Sequence, residues 1–133
     1  MLKLSLKVLL PFLACVVLAG CQSSAPQSVA DSQVPPSPAL RRAVIKAFDD
    51  GVFGATNIFD PKISSVVLLD PQTKTYAFCL RIRSERGNDI PKVLGVSFKA
   101  DRIVGASTSD FRCRDKRLRY YDFRELYAHA SRS

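Results

Sequence analysis

Thr75-Tyr76-Ala77-Phe78-Cys79-Leu80-Arg81-Ile82-Arg83-Ser84 decides the fold. Along it Tyr76, Phe78, Leu80 and Ile82 point one way, and Ala77, Cys79, Arg81 and Arg83 the other. A period of two is that of a strand, and the mixed second set predicts a face left to water. Upstream, Ile63 to Leu69 (ISSVVLL) reads as one buried strand, and Asp70-Pro71-Gln72-Thr73 turns the chain between the two. Downstream, residues 85–90 (ERGNDI) form a polar loop, and Leu94, Val96 and Phe98 alternate in a third strand. Asp101-Arg102 makes a tight turn into a fourth strand, Ile103 to Thr108.

Helices flank these strands. Ser37 is placed to cap one, with Pro38 in its first turn and Leu40, Val44, Ala47 and Phe48 at helical spacing. Gly51 ends it, with Val52 and Phe53 folding back on the last turn. Gly54 to Pro61 (GATNIFDP) reads as a loop. Near the C-terminus, Asp122 and Glu125 have the spacing of a capping box, and Phe123, Leu126, Tyr127 and Ala130 line one face of a short helix. Tyr120 and Tyr121 are expected to cover the sheet. The expected fold class is therefore α+β: about four antiparallel strands, one N-terminal helix on the Tyr76/Phe78/Leu80/Ile82 face, a short C-terminal helix and one disulfide.

The beginning of the chain is of another kind. Lys3 and Lys7 precede a twelve-residue apolar run, Val8 to Ala19, interrupted by Pro11. A membrane-spanning helix needs roughly 20 apolar residues, so the run reads as a secretory leader instead. It ends in Leu18-Ala19-Gly20-Cys21, which resembles the lipobox of bacterial lipoproteins. The resemblance implies diacylglycerol on the Cys21 sulfur, cleavage between Gly20 and Cys21, and a third acyl chain on the new amino group. Each buried CH₂ contributes roughly 0.8 kcal/mol, so two or three chains hold a small domain essentially permanently. In enterobacterial lipoproteins an Asp after the lipidated residue retains the protein in the inner membrane; by that resemblance Gln22 implies the outer membrane, facing the periplasm. Residues 1–20 are thus expected to be signal peptide and 21–38 a Pro/Ser-rich tether that buries too little apolar area to order itself. Residues 39–133 are expected to be the domain.

Loss of Lys3 and Lys7 with the leader takes the net charge from +8 to +6. Of the four cysteines, Cys15 leaves with the leader and Cys21 takes lipid. Cys79 and Cys113 remain as an even pair in an oxidising compartment, and a disulfide is expected. No C-x-x-C spacing suggests redox chemistry, and the lone His129 leaves too few ligands for a metal. No cofactor, catalytic residue or small-molecule substrate is expected. His129 lies near the chain end, and Asp49 and Asp50 are explained by the helix terminus beside them.

The candidate functional feature is a run of cations, Arg112, Arg114, Lys116, Arg117 and Arg119, opposed within the run only by Asp115. A Cys79–Cys113 bond would draw it toward Arg81 and Arg83, merging two basic segments into one anion-binding patch. In an envelope the available polyanions are lipopolysaccharide, lipid headgroups, wall polymers and acidic proteins. Nucleic acid is excluded by compartment. The competing reading is a solvated edge that resists aggregation.

The aromatic strand with its central Cys, the second Cys, and the ending Tyr120, Phe123, Glu125, Leu126 are similar to small envelope lipoproteins of alphaproteobacteria. The likeness runs from Thr75 to Leu126 and implies a compartment, not an activity. Three functions follow as expectations: a non-catalytic binding or accessory subunit of an envelope complex; a structural lipoprotein touching lipopolysaccharide or wall; and, ranked last, a periplasmic enzyme inhibitor. Lysozymes are themselves basic and would repel a +6 domain.

Overall fold

The computed structural model describes residues 31–54, 57–83 and 92–133. The expected leader, Cys21 with its expected lipid, and the expected 85–90 loop lie outside the described residues.

Helix α1 spans Pro38–Asp49. The Ser37 hydroxyl accepts a hydrogen bond from the Leu40 amide at 3.1 Å, and Leu40, Val44, Ala47 and Phe48 are buried. At its far end Gly51 adopts φ 76°, which lets its amide reach the Phe48 carbonyl and the Val52 amide reach that of Ala47. A side chain at Gly51 would be strained in that conformation. Phe53 then folds under the helix while Val52 stays outside.

Among the described residues six strands follow: β1 (Phe59–Ser64), β2 (Val67–Asp70), β3 (Thr75–Arg83), β4 (Lys92–Lys99), β5 (Arg102–Ser107) and β6 (Tyr120–Asp122), with helix α2 (Arg124–Ala130) after them. They form one antiparallel sheet in the order β5-β4-β3-β1-β6, and β2 also pairs with β3. The α+β class and the disulfide are as expected; the strand count is not.

The expected strand from Ile63 to Leu69 is two strands laid end to end along one edge of β3, separated at Ser65-Val66. The break sends each half to its own outer neighbour. Ser65 donates its amide to the Arg119 carbonyl at 2.8 Å, and Val66 exchanges two backbone hydrogen bonds with Val34. β1 also begins at Phe59, inside the expected loop, through an irregularity at Asp60 where φ is positive.

Tyr120 and Tyr121 belong to strand β6 on the free edge of β1. The capping box at Asp122 and Glu125 does not form. Phe123 precedes α2 with no side-chain cap, because Asp122 bonds Lys62 at 2.8 Å and Glu125 pairs with Arg41 at 3.2 Å. The hairpin between β4 and β5 turns on Ala100-Asp101, one residue earlier than expected. Both have positive φ and Lys99 pairs with Arg102, as a two-residue type I′ turn demands.

Residues 32–36, expected at the end of the tether, lie against the sheet. The Leu68 amide donates to the Ser32 hydroxyl, Gln33 Nε2 to the Arg117 carbonyl, and Pro36 is buried. Helix α1 is therefore an internal element of the domain and not its N-terminal one.

One face of the sheet carries the core. Ile63, Phe78, Leu80, Ile82, Leu94 and Val96 meet the four buried residues of α1, and Phe123 and Leu126 seal the α2 end. The other face was expected to be wet, yet at its centre Ala77 and Cys79 are each only 2 % exposed. The chain after β5 folds back across them.

Candidate anion-binding face

The second face is built around β3. Register places Cys79 opposite Gly95 of β4, Arg81 opposite both Val93 of β4 and Lys62 of β1, and Tyr120 of β6 opposite Ser64 of β1. A short 3-10 helix, Phe111–Arg114, crosses this surface and is bonded to it by Cys79–Cys113, with Cα atoms 5.7 Å apart.

Two small residues make the crossing possible. A methyl group at Gly95 would occupy the space of the Asp110 side chain, so only glycine lets the segment lie this close. Ser64, fully buried, sits where β1 leaves β3. Its hydroxyl accepts from the Cys79 amide at 2.7 Å and donates to the Ser65 carbonyl at 2.8 Å, replacing the ladder hydrogen bond lost at the break. A buried amide left without a partner costs about 1–3 kcal/mol.

The cations are arranged by two Asp-x-Arg units. Asp110 Oδ1 accepts the Arg112 amide at 3.0 Å and Arg112 Nε at 2.8 Å, and its second oxygen meets Arg112 Nη2. Asp115 Oδ1 accepts the Arg117 amide at 2.9 Å and Nε at 3.0 Å, with Nη2 on Oδ2 at 2.7 Å. Both carboxylates are nearly enclosed, with side chains 8 % and 6 % exposed. Burial pushes the Asp110 carboxyl up, but the hydrogen bonds and charge of Arg112 outweigh it and hold the group below the usual carboxylate range.

Arg81 stacks over the Tyr120 ring, 4.2 Å from its centre, and the Tyr120 hydroxyl donates to the Cys113 carbonyl at 3.3 Å. Burial raises the Tyr120 phenol, against the pull of Arg81. Tyr120, under Arg81 and bonded to the Cys113 carbonyl, and the disulfide thus both link the Arg81 strand to the 3-10 turn. Arg83 is half-buried at the end of β3.

Of the seven cations expected in the patch, Arg112 and Arg117 are occupied by Asp110 and Asp115, and Arg81 by an aromatic ring. Arg114, Lys116 and Arg119 are exposed, and no described carboxylate pairs with their side chains. Asp110, just outside the run, and Gly95, in mid-strand, were missed by sequence reasoning. The repeated Asp-x-Arg spacing and a glycine interrupting an alternating strand were the available signals.

Beneath the crossing lies an apolar cavity of about 10 Å³ lined by Val67, Ala77, Cys79 and Leu118, too small for a ligand. Larger open grooves of about 380 and 370 Å³ flank Asp122 and Arg41, whose polar groups are engaged in ion pairs with Lys62 and Glu125. His129 pairs with Asp49 at 2.7 Å, tying α2 to α1. Among the described residues no three His, Cys, Asp or Glu side chains are grouped to hold a metal, and no helix is long and apolar enough to cross a membrane. The chain matches no family model, no curated protein and no solved structure.

Proposed function

We propose that the chain is a lipid-anchored protein of the bacterial cell envelope that acts by binding, as an accessory module, and not by catalysis. One observation carries the reading: a charged start and a short apolar run end in Leu18-Ala19-Gly20-Cys21, the residue types a lipid-transferring and cleaving machinery requires. The Cys79–Cys113 disulfide supports it, since such bonds persist in oxidising compartments. In this reading the acyl chains sit in the outer membrane and the domain faces the periplasm. Its partner is an envelope protein or an anionic envelope polymer.

Intact-mass measurement of protein purified from membranes tests the anchor. The expected species begins at Cys21 and carries fatty acid; a free thiol there, or a mass without acyl chains, overturns the proposal. Changing Cys21→Ser should move the protein out of the membrane fraction.

A second reading, a structural contact with lipopolysaccharide or wall, is favoured by Arg114, Lys116 and Arg119, which are exposed and have no carboxylate partner among the described residues. Pull-down at rising salt separates the two. A stoichiometric protein partner that survives high salt supports the subunit role. Retention on polymer that collapses as charges are screened supports the contact role.

A further inference from the structure

We propose that the 110–119 segment is a membrane-docking surface, by which the domain lies against the anionic phospholipid headgroups of the leaflet that holds its own lipid. The inference rests on the lipid-anchor reading above and names the partner of the basic face.

Three cations of the segment have no carboxylate partner among the described residues. The two carboxylates of the segment, Asp110 and Asp115, are enclosed and clamped onto Arg112 and Arg117. They no longer offset the exposed charges of Arg114, Lys116 and Arg119. Phe111, 48 % exposed, lies in the same 3-10 turn as Arg114. In a 3-10 helix residues three apart eclipse, so Phe111 and Arg114 share a side, turned away from the buried Cys113. An exposed aromatic ring beside cations suits the boundary between headgroups and acyl chains. A wholly polar partner would leave that ring in water.

Where the chain enters the domain supplies the second argument. Gln33 donates to the Arg117 carbonyl and lines the same small cavity as Cys79 and Leu118. Val34 pairs with Val66, next to Ser65, whose amide meets the Arg119 carbonyl. The negative charge of Asp31 is felt by Arg117. The path from the lipid thus reaches the domain on the cationic side of the sheet, not the helix side. Nine residues lie between Cys21 and Asp31, ten steps along the chain, a reach of at most about 36 Å even fully extended. A domain of this size has a radius of gyration near 13 Å. The segment that carries Arg114, Lys116 and Arg119, for which no described carboxylate is a partner, is accordingly the one that the entering chain meets.

The segment is also fastened at several points. The disulfide, the two Asp-x-Arg clamps and the close approach at Gly95 hold the segment in one geometry, so little ordering is needed on contact.

The test uses the lipid-bearing mature chain in vesicles of phosphatidylcholine, alone or mixed with phosphatidylglycerol. Acetylation of Lys116 is compared with that of Lys74, which is exposed in the β2–β3 turn. Phosphatidylglycerol should slow labelling of Lys116 several-fold relative to Lys74, since each cation near an anionic surface contributes a factor of about five. High salt should abolish the difference. Arg114→Gln with Arg119→Gln should reduce the protection of Lys116, while Arg42→Gln with Arg124→Gln on the helices should not. No slowing, equal slowing at both lysines, or protection by lipopolysaccharide but not by phosphatidylglycerol overturns the proposal. A protein whose intact mass lacks fatty acid fails the anchor reading alone. The same chain is then sedimented with the two vesicle types, and selective retention on phosphatidylglycerol upholds the surface while its loss overturns it.

Discussion

On the helix side of the sheet, Val44, Phe78, Phe123 and Leu126 are buried among one another. On the opposite side, Cys79 is bonded to Cys113, Gly95 admits Asp110, and Ser64 carries the Cys79 amide. The first side is held by apolar area, which adds up over many interchangeable contacts. The second is held by a few specific links, each with no substitute. A small domain with room for one apolar core covers its second face with covalent and polar fasteners, and there the charged surface is displayed.

Breaking the helix side should cost most. Phe123→Ala removes a ring with no exposure at all and should destabilise by about 3–5 kcal/mol in denaturant titration. The disulfide comes next. Cys113→Ser frees a 34-residue separation, for which chain entropy gives about 3–4 kcal/mol. Hydrogen exchange in that variant should accelerate over 110–119 while α1 stays protected. Equal acceleration in α1 would mean that the two sides do not part.

Ser64→Ala leaves the Cys79 amide without its acceptor and should cost about 1–3 kcal/mol. Its effect sharpens the contrast, because the change removes one oxygen and almost no apolar contact. The smallest effect is that of pH. The Asp110 carboxyl lies below its ordinary value in the folded protein, so the stability it contributes is present above its unfolded pKa, about 3.9, and is lost as pH falls through the folded value. Asp110→Asn should flatten that acid limb of the unfolding curve. A limb unchanged in the variant would assign it to other carboxylates, such as Asp122, which Lys62 holds low.

The same division explains how far the amino-acid sequence could be read. Spacings of two and of three to four place Phe78, Leu80 and Ile82, or Leu40, Val44 and Phe48, on a common side without knowledge of anything distant. Ser37 and Gly51 act within their own helix, and both were legible. Ser64, Gly95 and the Ser65-Val66 break answer to residues far along the chain, and periodicity carries no trace of such partners. Four strands were therefore expected where six exist, and β3 was expected to be wet where it is covered. The cationic run was plain. Which of its members stay unpaired was not, because that depends on two carboxylates folding beneath it. The capping spacing at Asp122 and Glu125 misled for a related reason: Lys62 and Arg41, brought close by the sheet and α1, compete better for those carboxylates than the local amides do.

The antiparallel pairing of Val34 with Val66 has a mechanical consequence. A pull on the N-terminal side of the chain is met by the side-chain contacts of Ser32 and Gln33 and then by two short backbone hydrogen bonds, 2.9 and 2.8 Å. Behind them stand β2 on β3 and then the sulfur–sulfur link, which no stretching of strands alone will part. Tension would peel residues 32–36 away before it reached the core, so the domain carries a sacrificial seam where the chain enters it.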